Sequence, residues 1–181
     1  MTIDLNKRFP LDTQMQPLWL PAIRAQLALD RKNASLALSA LQGASRIELG
    51  QIPFANSISC LYHVYVRGEA YLAAGQSSAA AAEFQKIIFH SGIVWNCWTG
   101  WAHLGVARAN ALQSRTSHGA DADDADAARI RALASYKDFF TLWKDADPDI
   151  PILKQAQSRI REAALAGLGG KSRWGSPTNS Q

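Results

Sequence analysis

The chain has 181 residues, of which 48% are apolar and 19% are charged. This composition is sufficient for a folded core and excludes a chain that is disordered throughout. The formal net charge of +4 is small and its basic residues are scattered, so a nucleic-acid-binding protein is not expected.

Apolar residues recur along most of the chain at the intervals of an amphipathic helix. Leu20, Ile23 and Leu27 show this spacing, and strand-type alternation is nearly absent. The pattern predicts an all-α protein with helices at about 14–31, 34–45, 57–74, 78–90, 97–113, 124–145 and 150–166. The polar segment 114–126 is predicted to be a surface loop, and the Gly- and Ser-rich segment 167–181 to be disordered.

Five residues near the middle of the chain have the spacing of a tetratricopeptide repeat: Gly68, Tyr71, Gly75, Ala80 and Phe84. A glycine at position 68 allows the two helices of a hairpin to approach closely, with Ala80 as its small partner. Gly75 suits a turn in the left-handed conformation. Phe84 is predicted to pack between successive hairpins.

A second copy begins at Leu104 and Gly105, and its second helix resumes at Ala132 and Tyr136. Arg108 stands where the first copy has a tyrosine, which departs from the pattern. An earlier and weaker copy has Lys32 in place of the turn glycine. The repeat therefore predicts a tetratricopeptide-like solenoid with hairpins at about 14–45, 57–90 and 97–145 and a capping helix at 150–166. The hairpins are expected to stack in series because each one buries its apolar face only against its neighbours.

Taken with these segments, the chain resembles the C-terminal tetratricopeptide region of bacterial eukaryotic-like serine/threonine protein kinases. The most specific matching string is YKDFFTLWKDADPDIPILK at 136–154, and the resemblance covers about residues 5–165. It implies a non-catalytic protein-interaction module that serves as the sensor or scaffold tail of such a kinase. No kinase motif occurs in the sequence itself, so no kinase activity is expected from this chain.

The resemblance leaves other parents open. Winged-helix transcriptional activators carry similar C-terminal regions, and a stand-alone adaptor is a further alternative. Residues 1–13 look like the end of a preceding repeat, so the first full helix would expose an apolar face around Leu18, Trp19 and Leu20 and promote self-association. A stand-alone chain would be cytoplasmic, since it has neither a leader nor a membrane segment, whereas the tail of a membrane-spanning kinase would be extracytoplasmic.

The sequence predicts no catalytic, cofactor or metal site. The acidic segment 121–126 lacks the glycine and the final glutamate of an EF-hand loop, and the four histidines lack metal-binding spacing. Cys60 and Cys97 form no C-x-x-C pair and are expected to be buried. Trp95, Trp98 and Trp101 recur every three residues, which favours packing between hairpins.

The predicted binding surface is the concave face, which the first helix of each hairpin lines in tetratricopeptide arrays. Its expected partner is a protein or a peptide. Counting from the two repeat glycines gives eight candidates: Tyr62, Tyr65, Glu69, Leu72, Thr99, Ala102, Val106 and Asn110. This set contains no pair of basic residues that would hold a peptide carboxylate.

Overall fold

A computed structural model describes residues 2–44, 48–49, 61–94, 99–117 and 122–171. Within these ranges every regular element is helical, which confirms the all-α prediction. The elements are α1 (Thr2–Arg8), a π-helical turn (Met15–Trp19), α2 (Leu20–Asp30), α3 (Ala34–Leu41), α4 (Tyr62–Ala73), α5 (Ser77–Phe89), α6 (Ser91–Val94), α7 (Thr99–Thr116), α8 (Ala122–Leu142) and α9 (Pro151–Lys171). Four residues with sequence predictions lie outside the described residues: Cys60, Trp95, Cys97 and Trp98.

Two of the interhelical turns use a left-handed residue. Gly75, between α4 and α5, has a φ of +75°, as predicted for the turn glycine. Lys32, between α2 and α3, has a φ of +58° although it is not a glycine. Asn33 then caps α3, because its side-chain oxygen accepts a hydrogen bond of 3.0 Å from the Leu36 backbone N–H. The weak first copy therefore keeps the turn geometry without the glycine.

Several helical boundaries differ from the predictions. Helix α9 continues to Lys171, so residues 167–171 are helical and not disordered, and residues 172–181 lie outside the described residues. The predicted loop at 114–126 is shorter, because α7 extends to Thr116 and α8 begins at Ala122. Asp123 and Asp124 lie in the first turn of α8, where the helix dipole favours negative charge. No helix of the described ranges is both long and apolar enough to cross a membrane.

The helices pack as consecutive pairs, α2 with α3, α4 with α5 and α7 with α8. Each pair also contacts the next: α2 and α3 pack on α4, α4 and α5 on α7, and α8 on α9. Buried side chains form three clusters at these junctions. Cluster 1 joins the first pair to α4, cluster 2 joins the second pair to α7, and cluster 3 joins α7 and α8 to α9.

The ring of Phe84 lies between two glycines of neighbouring helices. A methyl group added at Gly68 in α4 would lie 2.7 Å from the ring carbons Cε1 and Cζ. One added at Gly105 in α7 would lie 2.5 Å from the ring carbon Cγ. Phe84 therefore packs between the second and third pairs. Gly105 faces this ring of the preceding pair, whereas Tyr136, in the helix that follows, packs in cluster 3 with Leu104.

The apolar face expected on the first full helix is not exposed. Leu18 and Leu20 are only 7% and 1% exposed, and Trp19 is half-buried. Leu18 belongs to cluster 1, and both α1 and the π-helical turn pack on α2. The predicted exposure of these leucines is therefore wrong, because this segment folds back onto the first pair, and self-association through them loses its structural basis.

Candidate functional site

Four helices line an open groove with a volume of about 530 Å³. They are α2, α4 and α7, which are the first helices of the three pairs, together with the final helix α9. The lining is mixed in character, with apolar, acidic and basic side chains: Gln26, Leu29, Asp30, Tyr65, Glu69, Leu72, Ala73, Arg108, Leu112, Arg115 and Arg159.

The groove candidates counted from Gly68 lie in or next to this groove. Tyr65, Glu69 and Leu72 line it directly. Tyr62 is half-buried against cluster 1, and its hydroxyl donates a hydrogen bond of 3.4 Å to the lining residue Gln26. Burial raises the pKa of the Tyr65 hydroxyl, and the neighbouring Glu69 carboxylate adds to that effect. This tyrosine is therefore a neutral hydroxyl at physiological pH.

The candidates counted from Gly105 lie elsewhere. Ala102 and Val106 are core residues of cluster 2. Asn110 is buried, and its amide donates to the Val106 carbonyl at 2.9 Å while its side-chain oxygen accepts from Arg131 at 3.0 Å. The hydroxyl of Thr99 is buried without a hydrogen-bond partner among the described residues. None of these four side chains lines the groove.

A different face of α7 borders the groove, and it carries Arg108, Leu112 and Arg115. The count from Gly105 fails because that glycine faces the ring of the preceding pair, so the candidates derived from it turn into the interface between pairs. Arg108 stands where the repeat pattern has a tyrosine. This departure in the sequence indicated that the first helices of the two copies do not turn the same face to the groove.

The charges of the groove are divided between its two sides. Asp30 and Glu69 lie on α2 and α4, whereas Arg108, Arg115 and Arg159 lie on α7 and α9. One ion pair crosses between them, in which Arg108 Nη1 donates to Glu69 Oε1 at 2.6 Å. Both side chains of that pair are mostly buried, which strengthens a charge-assisted hydrogen bond.

Arg115 and Arg159 have no carboxylate within 4 Å in the part of the chain that the structure describes. Both also line an adjoining open recess of about 520 Å³, which Gln155, Ser158 and Glu162 complete. Glu162 accepts a hydrogen bond of 3.2 Å from the Ser158 hydroxyl. Two guanidinium groups, which stay charged at any physiological pH, thus face open space shared by two neighbouring recesses.

The hydroxyl of Tyr136 is a further buried polar atom of the third pair. The residue is completely buried in cluster 3, and its hydroxyl has no hydrogen-bond partner among the described residues. Burial raises the pKa of this hydroxyl, and the charges of Arg159, Arg108 and Arg115 oppose that rise. Tyr136 does not line the groove.

A second charged cluster is buried outside the groove. Arg67 Nη2 donates to Glu48 Oε2 at 2.5 Å and to Glu83 Oε2 at 2.6 Å, and Lys86 Nζ donates to the same two carboxylates at 3.2 and 2.9 Å. Burial, together with the charge of Arg67, lowers the pKa of the adjacent His63 to about 4. These ion pairs hold Glu48 against α4 and α5, while Arg67 Nη1 is buried without a hydrogen-bond partner among the described residues.

Comparison of the chain with protein-family models, with curated proteins and with solved structures finds no match. The functional interpretation of the groove therefore rests on its own residues. Within the described ranges, no three His, Cys, Asp or Glu side chains gather closely enough to hold a metal ion.

Proposed function

We propose that the chain is a non-catalytic protein-interaction module, a tetratricopeptide-like solenoid that binds a peptide segment of a partner protein in the groove. One observation carries the proposal. The groove is built from the first helix of every consecutive pair and from α9, which is the surface that such arrays use for binding. The neighbour-to-neighbour packing of the pairs also supports a solenoid.

The lining of the groove suits recognition of an extended segment. Leu29, Leu72 and Leu112 offer apolar contact, and the charged residues beside them offer fixed hydrogen-bond donors and acceptors. A binding site of this kind combines apolar area with a small number of placed polar groups. The groove arginines do not transfer protons at physiological pH, and the strongly shifted His63 lies in the buried cluster outside the groove. These properties favour binding over catalysis.

The resemblance suggests the setting of this module. We infer that it is the sensor or scaffold tail of a bacterial serine/threonine kinase, where capture of a partner in the groove would bring that partner to the kinase domain. Peptide binding in the groove does not depend on this setting, since the groove would have the same shape on a kinase tail, on an activator or on a stand-alone adaptor.

Peptide selection with a matched pair of variants tests the binding role. Ala73 and Ala74 are neighbours at the end of α4 and both are exposed, but only Ala73 lines the groove. Peptides selected from a random dodecapeptide library on the wild-type chain are synthesised, and their affinities are measured by fluorescence anisotropy. Ala73→Trp fills the groove and is expected to weaken binding at least about tenfold, whereas Ala74→Trp leaves it unchanged.

Circular dichroism of both variants checks that the helices are retained. The proposal fails if the library yields no binding peptide, or if the selected peptides bind Ala73→Trp as tightly as the wild-type chain. Equal losses in the two variants would place the peptide outside the groove and would also contradict the proposal.

A further inference from the structure

We propose that the segment bound in the groove is acidic, and that its carboxylates occupy the end formed by α7 and α9, where they bind Arg115 and Arg159. This inference rests on the proposed function, and it adds the chemical class of the partner. The groove carries five charged side chains, and their arrangement determines which ligand charge it accepts and where.

Of the three groove arginines, only Arg108 forms an ion pair among the described residues. Its partner is Glu69 at 2.6 Å, while Arg115 and Arg159 have no carboxylate within 4 Å in the described residues. Arg115 lies on α7 and Arg159 on α9, and both border the main groove and the adjoining recess. A planar guanidinium binds a carboxylate through two parallel hydrogen bonds, so two such groups in one recess complement an acidic ligand.

The carboxylate beside the two arginines does not balance their charge. Glu162 lines the adjoining recess with them and accepts a hydrogen bond from the Ser158 hydroxyl, but it lies within 4 Å of neither guanidinium group. An acidic group that enters this end of the groove would therefore neutralise a surplus of positive charge.

The opposite side of the groove decides between an acidic peptide and a nucleic acid. Asp30 and Glu69 lie on α2 and α4, so a uniform chain of phosphates along the groove would meet repulsion there. A peptide carries its acidic residues locally and presents neutral or basic residues to the α2 and α4 side. The division of charge thus favours a protein segment whose acidic residues are confined to one end.

The test compares three fluorescein-labelled probes on the full chain by anisotropy. The first is a dodecapeptide with four consecutive glutamates in a Gly, Ser and Leu background, the second has glutamines in their place, and the third is a single-stranded DNA dodecamer. The glutamate peptide is expected to bind at least about tenfold more tightly than the glutamine peptide and the DNA. Raising the NaCl concentration from 50 to 500 mM is expected to remove most of that difference.

Two double variants with the same change in net charge locate the contact. Arg115→Gln with Arg159→Gln removes the two groove arginines, whereas Arg24→Gln with Arg161→Gln removes two exposed arginines that do not line the groove. The groove pair is expected to lose at least about tenfold in affinity for the glutamate peptide, and the control pair less than about twofold.

The outcomes separate this inference from the binding role. Equal binding of the glutamate and glutamine peptides, with both blocked by Ala73→Trp, overturns the acidic ligand and leaves a peptide groove. Tighter binding of DNA, or equal losses in the two arginine pairs, also overturns it. If neither these probes nor library peptides bind, then the binding role and the inference fail together.

Discussion

The contact between Gly105 and Phe84 allows a stability prediction with a worked magnitude. Alanine at position 105 would place its Cβ 2.5 Å from ring carbon Cγ and 2.6 Å from Cδ1 and Cδ2. Favourable carbon–carbon contact needs about 3.5–4.0 Å, so the methyl group is roughly 1 Å too close. Phe84 is completely buried and its far edge lies against Gly68, so the ring has no free space into which to move.

Overpacking of a buried site costs about 1–3 kcal/mol, and the change from glycine to alanine within a helix returns up to about 1 kcal/mol. Because the ring lies between two glycines and cannot move aside, we take the upper part of that cost, about 2–3 kcal/mol. The net loss for Gly105→Ala is then expected to be about 1–2 kcal/mol in the free energy of unfolding. Urea unfolding followed by tryptophan fluorescence and by circular dichroism measures it. Gly92→Ala is the matched control, because a methyl group there meets nothing within 4 Å, and it should be neutral or stabilising.

A double variant identifies the ring as the obstacle. In a Phe84→Leu background the smaller side chain makes room for the methyl group, so Gly105→Ala should cost at least about 0.5 kcal/mol less than it does in the wild-type chain. If Gly105→Ala is as stable as the wild-type chain, or if its cost is the same in both backgrounds, the explanation of this contact is incorrect.

Three further predictions concern stability. Lys32→Gly is expected to stabilise the chain by about 0.5–1 kcal/mol, because a glycine adopts the φ of +58° without strain, and thermal unfolding measures this gain. The buried His63 has a pKa of about 4, so between about pH 6.5 and pH 4 the unfolded chain binds more protons than the folded chain. The free energy of unfolding is therefore expected to fall by about 2 kcal/mol, through His63 alone, from pH 7.5 to pH 5, as measured by urea titrations at each pH. Arg67→Met leaves Glu48 and Glu83 buried beside one lysine and is expected to cost about 3–5 kcal/mol by the same method.

Each of these predictions has its own control. Arg31→Gly, next to the turn at a φ of −88°, should destabilise, and a similar gain from both glycines would contradict the strain at Lys32. His63→Gln should remove this pH dependence of the free energy of unfolding. If the variant shows the same dependence as the wild-type chain, other groups cause it. Lys86→Met, whose side chain is 37% exposed, should cost much less than Arg67→Met.

The fold class and most helix positions followed from the sequence, since the spacing of apolar residues decides which segments bury a helical face. Helix α5 was predicted at 78–90 and lies at Ser77–Phe89, and Gly75 has the left-handed turn conformation. The fate of Leu18 and Leu20 could not be predicted in this way. Their burial depends on α1 and the π-helical turn folding back, which is a tertiary arrangement without a local pattern.

The candidate site was predicted on one side only. Three of the four candidates of α4 line the groove, and none of the four counted from Gly105 does, because a repeat glycine fixes the rotation of a helix only if its packing partner is known. Gly105 contacts the ring of Phe84 in the preceding pair and not that of Tyr136 in its own pair, and the spacing of the repeat residues does not predict which of the two it contacts. Arg108 and Arg115 were missed for the same reason, and Arg159 was missed because the last helix was expected to cap the array and not to line its groove.

The ring of Phe84 lies between the backbones of α4 and α7, and the Glu69–Arg108 ion pair joins the same two helices within the groove. The two walls are thus held in place before any ligand arrives, and the entropy lost on binding would fall mainly on the peptide. A smaller side chain at position 84 would loosen both walls and shorten the lifetime of a bound peptide, although it lies outside the lining that the peptide would touch.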